Sequence, residues 1–222
     1  MLVVASIVDI RKREISDWVW ILPVSVSVLI SIPILASSPH IQYDELVVRY
    51  LLSLTLTAPL AYIAYIKGLF GGADAKALIA ISILVPSYGM EYSLHGIPAL
   101  TTLTNAALLT IVNILHNIFR NLTAVLSGKD IFKGLSEPLY KKVLVFMMGF
   151  VARPKGYLFA LEEVRDGKKA LNLSPKAYNE FADNDEEVWV TQALPFIVYI
   201  TVGFVIMLLI GDLIAYLLYH FE

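Results

Sequence analysis

Cysteine is absent from this sequence of 222 residues, and charged residues are scarce. The absence of thiols excludes disulfide bonds, thiolate metal sites and cysteine nucleophiles. The four histidines lack the spacing of metal ligands, so we expect no metal centre: His40, His95, His116 and His220. A net charge of −2, without a basic stripe of interleaved aromatic residues, gives no reason to expect nucleic acid as a partner.

Apolar residues are what the sequence has in abundance. They make up 58% of the chain, while Asp, Glu, Lys and Arg together make up 16%. A typical soluble domain carries about 25% charged residues. The apolar start also lacks the basic region and the small-residue cleavage site of a secretory signal. This balance is typical of a polytopic membrane protein surrounded by lipid.

Apolar windows predict an all-α fold of about six transmembrane helices. The windows are Met1–Val8, Trp18–Ala36, Leu51–Ile66, Ala77–Val85, Ala99–Phe119 and Leu194–Leu218. The first and fourth are much shorter than the roughly 20 residues that spanning requires. We interpret Met1–Val8 as the end of a longer first helix. We expect the fourth helix to begin near Ala73 and to continue past Pro86.

These windows divide the chain into three predicted parts. Residues 1–121 hold helices one to five, residues 122–192 form a small cytoplasmic insertion, and residues 193–222 hold the sixth helix. Within the insertion, the apolar run KVLVFMMGFVA (Lys142–Ala152) is too short to span a membrane. We expect this run to form a buried or interfacial helix.

The positions of the basic residues predict the orientation in the membrane. All 17 Lys and Arg residues except Arg49 fall in Ile10–Asp17, Lys67–Lys76 or Arg120–Gln192. Links rich in Lys and Arg face the cytoplasm, so these three segments are predicted to be cytoplasmic. The N-terminus of this plasma-membrane protein is then outside, and Asp212 lies near the outer surface.

This orientation brings two acids to one face of the membrane. Asp9 ends the first helix and Asp74 begins the fourth, both at the cytoplasmic edge. Two facing carboxylates in a low-dielectric site share a proton, so one can activate water while the other protonates a leaving amine. Gly71 and Gly72 permit close approach of an extended peptide, and Lys76 is expected to reach the headgroup region.

Each acid also has a purely structural interpretation. Asp74 can be a solvated acid that the positive end of a helix dipole favours. Asp9 can be a loop acid paired with Arg11 and Arg13, with little energetic weight. Asp17 opens a helix at the same face, and an N-cap role explains it adequately.

Two segments resemble the archaeal preflagellin and prepilin peptidases, relatives of the bacterial type IV prepilin peptidases. They are VDIRKREISDWVW (Val8–Trp20) and GGADAKALIAI (Gly71–Ile81). The residues that match the two family motifs are Asp9, Arg11, Arg13, Ile15 and Asp17, then Gly71, Gly72, Asp74 and Lys76. Ala73 stands where the family often has glycine.

A third segment, NDEEVWVTQALPF (Asn184–Phe196), is similar to the acidic and aromatic stretch before the last helix of the archaeal members. Its ALPF part resembles the P-A-L motif beside the active site of presenilin-type proteases. That likeness implies that Pro195 contacts substrate, although Pro195 equally suits the first turn of a helix.

The resemblance implies a GxGD-type aspartic protease that needs no cofactor, with Asp9 and Asp74 as its catalytic pair. It implies as substrates the precursors of archaellins (preflagellins) and type IV pilin-like proteins, which lose a basic class III signal peptide. An acidic surface supplied by Glu14, Asp17 or the Asp183–Glu187 run would favour such a basic peptide.

Two other classes of function stay open at this point. Acids at a membrane edge also mark proton- or cation-coupled transporters. The helix pattern, however, contains no inverted repeat and no acid near the bilayer centre, where transporter sites usually lie. The second alternative is a non-catalytic membrane subunit of a pilus or archaellum machine that docks through the insertion.

Overall fold

A computed structural model describes residues 1–37, 43–154, 158–165, 168–173, 187–192 and 195–221. The helices are α1 (Leu2–Lys12), α2 (Trp18–Ser37), α3 (Tyr43–Ile66), α4 (Gly72–Leu84), α5 (Pro98–Leu126), α6 (Leu139–Met148), α7 (Phe196–Leu209) and α8 (Leu213–Phe221). The strands are β1 (Phe150–Ala152), β2 (Leu158–Ala160), β3 (Glu162–Arg165), β4 (Lys168–Leu171) and β5 (Val188–Gln192).

The chain divides into two compact units. The first, which we call the helical unit, comprises Met1–Leu109 and Pro195–Glu222. The second, which we call the mixed unit, comprises Thr110–Leu194. The helical unit contains both of the predicted aspartates.

Small side chains form much of the core of the helical unit. In this core α4 packs against α2, α3 and α7, while α1 packs against α7. The buried alanines of the cluster are Ala5, Ala61, Ala75, Ala77, Ala80, Ala99 and Ala106. Leu78, Ile81, Ile197 and Ile200 fill the space between them. Because alanine lets helix backbones approach closely, this composition suits a bundle that packs in lipid.

Within the described part of the chain, two helices are long and apolar enough to cross a membrane, one at Val47–Ile66 and the other at Pro98–Leu126. Trp18–Ser31 and Phe196–Leu209 are shorter apolar stretches. The expected extension of the fourth helix past Pro86 is wrong, since α4 ends at Leu84 after 13 residues. The arrangement of six transmembrane helices therefore stays a prediction.

The last apolar window forms two helices instead of one. Gly211, between α7 and α8, has a φ of +101°, a conformation that favours glycine. A side chain here would meet the carbonyl oxygen of Tyr92 at 2.2 Å. Asn105 also bonds across the break, because its amide donates to the Gly211 carbonyl (2.9 Å) and its oxygen accepts the Leu213 N–H (3.0 Å).

The mixed unit corrects the all-α prediction, because it contains short strands. Three form an antiparallel sheet in the order β1–β5–β2, and β3 pairs with β4. The central strand, VWVTQ (Val188–Gln192), alternates β-branched and aromatic residues in a pattern that fits a pleated sheet. Trp189 is buried, and its Nε1 donates to the carbonyl of Ile131 at 2.8 Å.

The predicted helix over Lys142–Ala152 is correct only in its first part. Helix α6 ends at Met148, and Phe150–Ala152 instead forms β1. Pairing with β5 determines this change, since Phe150 and Val151 lie opposite Val190 and Trp189. A local apolar run cannot reveal a strand whose partner lies about forty residues later.

Candidate active site

Asp74 lies in the first turn of α4 and is nearly buried. Its side chain turns back toward the start of the helix, where Oδ2 accepts the backbone N–H of Gly71 at 2.9 Å. Only 9% of the residue is exposed. An acid at this position is favoured by the positive end of the helix dipole. The structural interpretation expected a solvated Asp74, whereas the side chain is nearly buried.

The glycines before Asp74 differ in how much space surrounds them. A Cβ on Gly71 would lie 3.0 Å from Oδ2 of Asp74, so glycine allows the carboxylate to approach the backbone. A Cβ on Gly72 would lie 3.6 Å from the Tyr65 ring, an ordinary contact. Ala73 lies within the helix, where alanine is the most favourable residue.

Asp9 lies in the C-terminal half of α1, which continues to Lys12 and does not end at the acid as expected. Leu2, Ala5 and Ser6 are buried on the same helix face as Asp9. The Ser6 and Thr201 hydroxyls lie 2.7 Å apart, and Thr201 also donates to the Leu2 carbonyl at 3.3 Å. These bonds attach α1 to α7 about one turn from Asp9.

The electrostatic environment of both acids favours retention of a proton. Burial is the main reason that the pKa of Asp74 rises to about 6; the Gly71 N–H opposes the rise, and the charge of Asp9 makes a smaller contribution to it. Burial also raises the pKa of Asp9, although Arg13, with Nη1 4.0 Å from Oδ2, opposes this shift. Both acids lie outside the two candidate membrane spans.

The start of α7 lies beside the glycine-rich loop. The rings of Phe70 and Phe196 stack with centroids 5.4 Å apart. Pro195 is the N-cap residue of α7, one position before the expected first turn, and is half-buried. Helix α7 therefore contacts both aspartate-bearing helices, α1 through Thr201 and α4 through packing.

Asp17 and Lys76 form an ion pair, a contact that the sequence did not suggest. The Lys76 Nζ donates to Oδ1 of Asp17 at 2.5 Å. Lys76 was expected to reach lipid headgroups, and Asp17 to cap α2 or to contact substrate. The ion pair links the segment that follows α1 to the first turns of α4.

The remaining acids that were predicted to attract a basic substrate peptide are Glu14 and the Asp183–Glu187 run. Glu14 is exposed in the segment between α1 and α2. Within the acidic run, residues 183–186 lie outside the described part of the chain. Glu187 is described in the mixed unit, where its carboxylate lies 3.9 Å from Lys129 Nζ.

Three supporting residues were missed from the sequence. Ser6 and Thr201 are polar residues within apolar windows. A polar residue in such a window is a signal for a hydrogen bond between helices, and this signal was available in the sequence. Phe70 lies inside the quoted glycine-rich stretch, where an aromatic residue between glycines signals a packing contact.

Comparison with known proteins gives one family over most of the chain. Residues 1–115 match the model of the type IV leader peptidase family, and residues 151–213 match that of the archaeal peptidase A24 C-terminus, type II. The chain is 25% identical over 219 residues to a preflagellin peptidase of Methanocaldococcus jannaschii, covering 95% of the chain and 91% of that protein. It is 27% identical over 217 residues to one of Methanococcus maripaludis, covering 95% and 92%.

Proposed function

Because the chain belongs to the type IV leader peptidase family, we propose that it is a membrane aspartic endopeptidase with Asp9 and Asp74 as its catalytic pair. The observation that carries the assignment is the pair's electrostatic environment. Asp74 is nearly buried in the first turn of α4, and the charge of Asp9 acts on its pKa.

The proton distribution of the pair suits acid–base catalysis. Asp74, with a pKa of about 6, retains its proton to a higher pH than an ordinary aspartic acid. Asp9 is the better base, because it is less buried and Arg13 lies nearby to stabilise its carboxylate. One proton shared by two acids provides a donor and an acceptor at the same time.

Cleavage then proceeds without a covalent intermediate. The Asp9 carboxylate takes a proton from water as the water oxygen bonds to the carbonyl carbon of the scissile peptide. Asp74 gives its proton to the carbonyl oxygen, which forms a neutral diol. The C–N bond then breaks as Asp9 protonates the leaving nitrogen, and a diol hydroxyl returns its proton to Asp74. The pair ends in its starting protonation state.

We assign as substrates the precursors of archaellins and of type IV pilin-like proteins. The relatives of Methanocaldococcus jannaschii and Methanococcus maripaludis are named preflagellin peptidases, and the alignments cover nearly the whole length of each. The exposed Glu14 lies close in sequence to Asp9 and would favour a basic peptide at this face.

The proposed location is the cell membrane, with several passes and the aspartates at the cytoplasmic face. Among the residues that the structure describes, two helices are long and apolar enough to span a membrane. The basic segment after Asp9 supports an outside N-terminus, since Arg11, Lys12 and Arg13 form a short positive link. Lipid then surrounds the exposed apolar surfaces of α2 and α3.

The test is cleavage of a recombinant preflagellin precursor by membranes that contain the full chain. Asp9→Asn and Asp74→Asn should each lower the cleavage rate by about 1,000-fold or more, because each removes one proton-transfer group. Glu45→Gln is a matched control, since Glu45 is an exposed acid that pairs with Arg49 at 2.6 Å on α3.

Two outcomes would contradict the proposal. Cleavage that survives in either aspartate variant would move the catalytic role to another acid. A wild-type protein that is folded, as judged by a sharp size-exclusion peak, but cleaves neither preflagellin nor a pilin precursor would contradict the assigned substrates.

A further inference from the structure

A polar contact that the mechanism does not use joins α4 to the link between α1 and α2. Asp9 is on α1 and Asp74 is on α4, and the segment Arg13–Ser16 leads from α1 to Asp17. The ammonium of Lys76 on α4 donates to the Asp17 carboxylate. Asp9 is therefore connected to Asp74 through the end of α1, the link to Asp17, the ion pair and the first turns of α4.

The position of Lys76 shows that it acts through Asp17 and not directly on Asp74. Two residues apart on a helix, their side chains point about 200° apart around the axis. Asp74 is turned inward and bonds to Gly71, while Lys76 is half exposed and bonds outward to Asp17.

The other end of the connection is short and well defined. Helix α1 stops because Arg13 adopts a left-handed conformation with a φ of +58° and donates its N–H to the Asp9 carbonyl. Helix α2 follows at once, with the Asp17 carbonyl accepting the N–H of Trp20 and of Ile21 at 3.0 Å each. Asp17 therefore lies in the short link between the end of α1 and the start of α2.

We propose that the Asp17–Lys76 ion pair positions α1 against α4 and thereby sets the separation of Asp9 and Asp74. Its consequence for catalysis rests on the proposed function above. Cleavage by two acids requires both to reach one water and one peptide bond, and small displacements are costly. Asp17 and Lys76 are positioning residues because they touch neither of the reacting acids.

The direct test measures distance and needs no substrate. Because the chain has no cysteine, Ile10→Cys and Ile79→Cys introduce the only two sites for nitroxide labels, one on α1 and one on α4. Pulsed electron paramagnetic resonance on the full chain in detergent gives the distribution of distances between them. Asp17→Asn and Lys76→Gln should each broaden this distribution, while Asp17→Glu should preserve it.

The matched control for the distance measurement is another exposed ion pair. Glu45 and Arg49 on α3 are about as exposed as Asp17 and Lys76. Glu45→Gln removes a comparable charge contact and should leave the distribution unchanged. Unchanged distributions in both Asp17→Asn and Lys76→Gln would overturn the proposal.

The kinetic test uses the preflagellin precursor and separates positioning from substrate binding. Asp17→Asn and Lys76→Gln should each lower kcat about fivefold with little change in KM, because an exposed ion pair contributes a population shift of that order. The double variant should lose no more than either single variant, since both disrupt one contact. If Asp17 instead contacts substrate, its variant raises KM, and the two losses combine independently.

Failure of this inference is distinguishable from failure of the proposed function. Wild-type cleavage, together with normal kcat and unchanged distances in the pair variants, would overturn the positioning role alone. Absence of cleavage by folded wild-type protein would contradict the assigned substrates of the proposed function. The distance measurement would still decide whether the ion pair holds α1 against α4.

Discussion

Two of the aspartates whose burial is described in the helical unit are buried near helix starts, and their surroundings differ. Asp212 precedes α8 and is fully buried. Its Oδ1 accepts the N–H groups of Ile214 and Ala215 at 2.9 and 3.3 Å, and its Oδ2 lies 3.5 Å from the Thr104 hydroxyl. Asp74 accepts one N–H, from Gly71, and the charge of Asp9 contributes to its raised pKa.

This difference shows that burial alone does not identify a catalytic acid. A buried carboxylate with several donors is held in place as a helix cap, because its bonds compensate for the loss of water. A buried carboxylate with one donor and a neighbouring acid retains its proton more strongly and can exchange it. Asp212 fits the first description, and Asp74 fits the second.

The largest expected effect is loss of stability at Asp212. Asp212→Ala removes the acceptor for two helix N–H groups and for the Thr104 hydroxyl. We expect the free energy of unfolding to fall by about 3 to 4 kcal/mol, since the two backbone N–H groups become unsatisfied. Thermal unfolding in detergent should show a midpoint lower by about 10 °C.

Asp212→Asn is the matched control, since its oxygen still accepts the two N–H groups. We expect it to retain most of the stability and to cleave precursor at a rate close to wild type. A folded Asp212→Asn protein without activity would break the comparison, because Asp212 would then belong to the chemistry.

The second effect has the opposite sign and depends on pH. The folded-state pKa of Asp74, about 6, lies above its unfolded value of 3.8, so the folded state is penalised when the carboxylate is charged. The penalty is absent below about pH 3.8, grows between the two values and is complete above about pH 6. Asp74→Asn should therefore raise stability by about 2 to 3 kcal/mol at pH 8.

The measurement is the thermal midpoint of wild type and of Asp74→Asn at pH 4 and at pH 8. The two midpoints should nearly coincide at pH 4 and differ by several degrees at pH 8, with the inactive variant the more stable. A variant that is less stable at pH 8 would show that the charged Asp74 carboxylate is well compensated.

The sequence predicts those features of the two sites that depend on neighbouring residues, and it misses those that depend on residues far apart in the chain. The motif around Asp74 and its place at a helix start were predicted, because glycine and helix patterns are local signals. The break at Gly211 was missed, since its cause is the approach of the Tyr92 carbonyl from more than a hundred residues away. The apolar window continues across the break without interruption.

The same reasoning applies to the site. Asp9 and Asp74 were paired from the predicted orientation and from the family resemblance, and this pairing stays a prediction. The partner of Lys76 was not predicted, because an exposed lysine has many acids within reach of its long side chain. Strands β1 and β2 were missed because their partner, β5, lies about thirty to forty residues later. Strands β3 and β4 pair locally, so long range does not explain why they were missed.

The third effect tests the single donor of Asp74. Gly71→Ala would place a Cβ 3.0 Å from Asp74 Oδ2, so the carboxylate must shift by a few tenths of an ångström. We expect cleavage to slow about tenfold, because the acid loses its alignment with the peptide bond. Gly72→Ala is the matched control, since its Cβ meets only the Tyr65 ring at 3.6 Å.

The measurement is kcat for precursor cleavage, with the thermal midpoint recorded for each variant. Gly72→Ala should keep its activity, and alanine inside a helix should stabilise it slightly. Equal activity of the two glycine variants would show that the close approach at Gly71 has no catalytic importance.

The smallest expected effects come from removing a single hydroxyl, in one variant near Asp9 and in the other near Asp212. Thr201→Val deletes the hydroxyl that lies 2.7 Å from the Ser6 hydroxyl on α1. Thr104→Val deletes the hydroxyl near Asp212. Each should lower the free energy of unfolding by about 1 kcal/mol, because each removes a hydrogen-bonded hydroxyl and nearly preserves the shape of the side chain.

Of these two variants, only Thr201→Val should also slow cleavage. Thr201 attaches α1 to α7, and Asp9 follows Ser6 by one turn of α1, so loosening this contact displaces one acid relative to the other. We expect Thr201→Val to lower kcat a few-fold and Thr104→Val to leave it unchanged at equal loss of stability. If both variants lose activity in proportion to stability, the hydroxyl of Thr201 contributes to folding alone, and α1 is held in register by its apolar contacts.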